Sequence, residues 1–78
     1  MKTETIAYMY QLLKLEAEYR RERYEKAKGK VIELRESGEQ NQELIKAVTD
    51  FMKRKADEMV AAENALNDFK NTHWQPLT

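Results

Sequence analysis

The residues best placed to do chemistry in this chain are cations. Tyr19 to Lys30 carries Arg20, Arg21, Arg23, Lys26, Lys28 and Lys30 against Glu22 and Glu25, a balance of plus four. Lys46 to Lys55 carries Lys46, Lys53, Arg54 and Lys55 against Asp50, a balance of plus three. The rest of the chain sums to minus seven, so zero net charge conceals a segregated distribution. Guanidinium and ammonium groups hold phosphates through charge-assisted hydrogen bonds, and a neighbouring aromatic ring offers a face on which a base stacks. Tyr19, Arg20, Arg23, Lys26 and Lys55 are therefore the candidate anion-binding residues, with a nucleotide or nucleic acid as the ligand class. Glu22 and Lys26 also form a supportive i, i+4 pair, as a solvated helix face would, and that plainer use of the belt is the expected one.

Other chemistries find no residues to carry them. His73 is the single histidine, with no serine or cysteine placed to use it as a base. The chain has no cysteine, hence no disulfide framework, thiolate nucleophile or zinc–thiolate site. Asp57 and Glu58 adjoin Lys53, Arg54 and Lys55, which suits ion pairing along a helix better than acid–base catalysis. A phosphate-binding glycine loop and an HExxH-like spacing are both missing. The expectation is a non-enzymatic protein with no metal and no cofactor.

The elements that position these residues are written in the apolar spacing. Ile6, Tyr10, Leu13, Ala17, Arg20, Tyr24, Ala27, Val31 and Leu34 alternate by four and three without a slip, and only Arg20 is not apolar. Ile45, Val48, Met52, Lys55, Met59, Ala62, Leu66 and Phe69 repeat the rhythm, with Lys55 the sole exception. Each is a heptad seam. Leu44 and Phe51 widen the second one. Between them, Ser37 and Gly38 form the strongest stop, since glycine takes the left-handed conformation that ends a helix. Ser37 or Asn41 can cap the next helix, and Thr3 or Thr5 the first. Gly29 lies off the seam and is expected inside a continuous helix.

These signals predict an all-α fold of two long antiparallel, coiled-coil-like helices: a helical hairpin over residues 1–72. Its first helix runs over about 4–36, the loop over 37–40 and the second helix over about 41–72, leaving a tail over 73–78. Closing the hairpin at Ser37 and Gly38 pairs residues whose numbers total 75 or 76, for example Val31 with Ile45 and Ala27 with Val48. The same register brings Arg20 level with Lys55. Like charges in one layer repel, so three arrangements suit them. Both heads snorkel into water, both pair with Glu16, Glu58 or an acid of another subunit, or both hold an anion. Snorkelling is the expected arrangement.

The first helix carries more apolar surface than one partner helix covers. Tyr8, Leu12, Leu15 and Tyr19 form a second stripe whose direction, at about 100° per residue, lies roughly 160° from the seam. Met9 falls between the two. A chain of 78 residues without disulfides or metals seldom stabilises itself by its core alone. Tyr8, Leu12, Leu15 and Tyr19 are thus the candidate interface of a homodimer or higher oligomer, a helical bundle. Its further partner would be another protein, with an anionic ligand or nucleic acid as the alternative. No apolar run approaches the roughly 18 residues of a membrane span and no signal-peptide core stands at the start, so no membrane partner and a cytoplasmic location are expected. Trp74 is expected to fold back over Ile6 and Phe69, with docking on another chain as the alternative.

Overall fold

A computed structural model of the chain describes residues 3–73. Two helices, α1 (Thr3–Glu36) and α2 (Gln42–His73), pack against each other as a hairpin. Its principal extents are 55 × 21 × 14 Å. The positions of Trp74 and Pro76 fall outside the described residues.

The turn is built by local hydrogen bonds. Gly38 has a φ of 73°, the left-handed region that glycine enters without a steric penalty from Cβ. Its N–H donates to the Arg35 carbonyl at 3.3 Å and the Glu39 N–H donates to Leu34 at 3.2 Å. That pair of bonds is a Schellman motif, satisfying carbonyls that the end of α1 would otherwise leave open. Ser37 Oγ donates to the Leu34 carbonyl as well. Asn41 is the cap of α2: its Oδ1 accepts from the Leu44 N–H at 3.1 Å. Both capping candidates named for the first helix lie inside it, because α1 already includes Thr3. At the other end α2 includes His73, which the sequence placed in the tail. Its ring lies 5.0 Å from that of Phe69.

Burial follows the seams. Among the described residues Ala17, Ala27, Val31 and Phe69 are the buried hydrophobic ones. Every other member of the two seams is half-buried, Arg20 and Lys55 included. Alanines at the contact let the helix axes approach closely, while the larger seam residues fill the spaces between layers. Among the described residues no large side chain is fully enclosed. Two helices bury only one stripe each, which leaves the core thin.

α1 is continuous through Gly29, where an added Cβ would meet nothing within 4 Å. Glycine costs a helix interior about 1 kcal/mol relative to alanine. Gly29→Ala should therefore stabilise the hairpin by about that amount, raising the melting temperature by about 4–8 °C. Thermal denaturation followed by circular dichroism checks it. An unchanged midpoint would mean that this turn of α1 is not helical in solution.

Candidate functional site

Charge is arranged most closely where the two seam cations meet. Arg20 Nη1 donates to Glu58 Oε2 at 3.4 Å and Lys55 Nζ donates to the same oxygen at 3.1 Å. Arg20 Nε also donates to Glu16 Oε1 at 2.6 Å. The register that places Arg20 level with Lys55 is thus realised through a shared carboxylate. Snorkelling, the arrangement expected from sequence, is corrected here: the Lys55 side chain is only 14 % exposed and turns to Glu58, one helical turn along α2. The physical reason is that a cation held this close to the seam gains more from a neighbouring carboxylate than from partial hydration. The spacings Glu16–Arg20 and Lys55–Glu58 are the sequence signals that carry it.

The hydrogen bond from Lys55 holds the Glu58 carboxyl below the usual carboxylate range, with the charges of Lys55, Arg20 and Arg23 adding to the effect and partial burial opposing it. Arg20 is held more firmly protonated, chiefly by its hydrogen bond to Glu16. The folded chain therefore binds the Glu58 proton more weakly than the unfolded chain. Its stabilisation is complete above the ordinary glutamate value of about 4.3 and is lost as pH falls through the lower folded value. Glu58→Gln should lower thermal stability at neutral pH and flatten this part of the acid limb. Lys55→Met should be neutral or stabilising, since it completes the seam and leaves Glu58 to Arg20. Melting curves from pH 3 to 7 test both. Equal stability of Glu58→Gln and the parent chain at neutral pH would show the layer to be energetically silent.

A groove of about 850 Å³ runs along one flank of the hairpin toward the turn. Tyr19, Arg23, Lys26 and Lys55 line it, so four of the five candidate anion-binding residues come together. Arg20 does not line it. The floor is apolar, from Ala27, Leu34, Leu44, Val48 and Phe51. Leu44 and Phe51 are each 41 % exposed. They widen the apolar face of α2 as expected, but toward the groove and beyond the cover of α1.

The cations at this groove are partly engaged. Lys26 lies 3.5 Å from Glu22 and Lys30 lies 3.9 Å from Glu33. Arg23 Nη1 donates to the Tyr19 hydroxyl at 3.1 Å. The guanidinium groups of Arg20 and Arg23 sit 5.6 and 5.5 Å from the Tyr19 ring centroid. The aromatic face that the sequence offers to a stacked base thus already carries two cations, a favourable contact in its own right. Phe51 is flanked in the same way by Arg54 and Lys55, at 5.7 and 5.0 Å.

The second stripe stays uncovered by α2. Tyr8 is 64 % exposed, Leu12 49 %, Leu15 59 % and Tyr19 49 %. Tyr19 belongs to both surfaces, closing the stripe and opening the groove. Among the described residues no helix is long and apolar enough to cross a membrane. No protein-family model, no curated protein and no solved structure matches the chain.

Proposed function

We propose that this chain is a small non-enzymatic interaction protein, a hairpin that associates with itself through Tyr8, Leu12, Leu15 and Tyr19 and then binds and modulates another macromolecule. The observation that carries this reading is the uncovered stripe, four large side chains on one face of α1, each about half exposed or more. Shape supports it. A hairpin 55 Å long and 14 Å thick leaves much of each helix uncovered by the other. A contiguous apolar face of this kind marks an interaction site in a soluble protein. With the stripe occupied, the groove at Leu34, Leu44 and Phe51 remains for the second partner. A cytoplasmic location belongs to this reading.

Light scattering at micromolar concentration tests it, with a dimer mass or higher expected. Monomer mass throughout that range would remove the reading. Association through apolar contacts should also persist at high salt.

A second reading is favoured by one observation, the meeting of Tyr19, Arg23, Lys26 and Lys55 at a single groove. There the hairpin would bind an anionic ligand, a nucleotide or nucleic acid. Phosphate contacts weaken steeply with salt, so calorimetry with nucleotides and short oligonucleotides at low and high salt separates the two readings.

A further inference from the structure

The uncovered stripe of α1 reads the same in both directions. Tyr8, Leu12, Leu15 and Tyr19 are spaced by four, three and four, in the order Tyr-Leu-Leu-Tyr. Positions 8 and 19 total 27, and so do positions 12 and 15. Reversing the helix leaves the pattern unchanged. An isologous contact about a two-fold axis imposes this condition, because residue i must meet j while j meets i.

Charge then selects between the two directions. Glu4 and Arg23 flank the stripe, and their positions also total 27. Among the described residues neither has an ion-pair partner within the chain; Arg23 contacts the Tyr19 hydroxyl and ring. In an antiparallel pair Glu4 faces Arg23 of the partner subunit, and symmetry makes that contact twice. A parallel pair in register sets Glu4 on Glu4 and Arg23 on Arg23, which is repulsive at both ends. The wider field agrees. Residues 1–18 and 56–78 carry Lys2, Lys14 and Lys70 against Glu4, Glu16, Glu18, Asp57, Glu58, Glu63 and Asp68, a balance of minus four. The antiparallel arrangement points this acidic end of each hairpin toward the basic belt of the other.

We infer that the second copy docks on this stripe antiparallel, about a two-fold axis passing between Leu13 and Lys14. Tyr8 then packs on the partner's Tyr19 and Leu12 on the partner's Leu15. Because the stripe faces away from the seam, the two α1 helices form the middle of a four-helix row with the α2 helices outside. The turn ends project at opposite extremes. Each groove stays open, with the partner's Glu4 at its mouth beside Tyr19 and Arg23. This inference rests on the self-association proposed above and adds its direction and register.

The chain has no cysteine, so a single introduced thiol takes a spin label at one place. Gln11 and Glu25 are exposed on α1, outside the stripe and two heptads apart. At a rise of 1.5 Å per residue, labels on Glu25→Cys should lie about 35 Å apart along the helix axis and labels on Gln11→Cys about 8 Å apart. Equal separations at the two positions would indicate a parallel pair and overturn the inference while leaving self-association intact. No dipolar coupling at either position, with monomer mass by light scattering, would overturn both. A charge exchange gives an independent check. Arg23→Glu should raise the dimer dissociation constant about tenfold, by replacing two attractive pairs with two repulsive ones. Adding Glu4→Arg should restore it. Failure of the second change to restore affinity would also overturn the register.

Discussion

Leu12→Glu combined with Leu15→Glu leaves a hairpin that sediments and scatters as a monomer while its far-ultraviolet circular dichroism changes little. Fully burying a leucine contributes about 1.5–3 kcal/mol. Leu12 and Leu15 are 49 % and 59 % exposed in the single hairpin, so about half of that value is left for association to collect. Two leucines on each of two chains then supply about 3–6 kcal/mol, a factor of roughly 10² to 10⁴ in the dissociation constant. The glutamates add the cost of placing four carboxylates in the contact. Helicity is retained because glutamate suits a helix interior about as well as leucine does. The new carboxylates stand four residues before Glu16 and three before Glu18, a like-charge cost of a few tenths of a kcal/mol. Assembly therefore loses far more than folding. Parent-like mass for the double variant would move the interface elsewhere, and the groove would be the next surface to test. Complete unfolding would instead show that folding and assembly are one event.

What could be read from the sequence followed from periodicity. The seams were legible because four and three alternate without a slip and because Ser37 and Gly38 fall between them, where left-handed backbone ends a helix. Neither signal needs knowledge of the third dimension. Side-chain choice within a layer does need it. Arg20 and Lys55 could be placed level by counting, yet whether they turn to water or to Glu58 depends on how near the seam Lys55 lies. Leu44 and Phe51 show the same limit. Their apolar character suggests a wider core face, but a single facing helix covers one stripe, and what lies beyond becomes the floor of a groove. The groove residues Lys30, Glu33, Leu34 and Ser37 went unmarked as a group, since their alignment with Leu44 and Val48 exists only once the turn is closed. Conversely, the stripe at Tyr8, Leu12, Leu15 and Tyr19 was legible as a surplus, because it repeats the seam spacing on a face that a hairpin cannot reach.

Phe69→Ala separates the two faces from the other side, by attacking the seam. Among the described residues Phe69 is the one large aromatic that is buried, at 9 % exposure, and its ring meets His73. Truncating a buried phenylalanine costs about 3–5 kcal/mol, because the lost transfer energy is joined by an unfilled cavity. In a core whose other buried members are Ala17, Ala27 and Val31, few neighbours can collapse into the space. The expected result is a large loss of helix at room temperature and a melting transition lowered by more than 10 °C, at about 4–8 °C per kcal/mol for a domain of this size. Val60→Ala on the same helix is the control. Val60 is 49 % exposed, and its replacement should lie within about 0.5 kcal/mol of the parent. If association uses the outer stripe, the Phe69 variant should regain stability as protein concentration rises, since dimerisation removes folded hairpins from the equilibrium. The Leu12→Glu, Leu15→Glu variant should show no such recovery. Similar melting curves for Phe69→Ala and Val60→Ala would mean that the terminal half of the seam contributes little, and that the hairpin is held by its turn end alone.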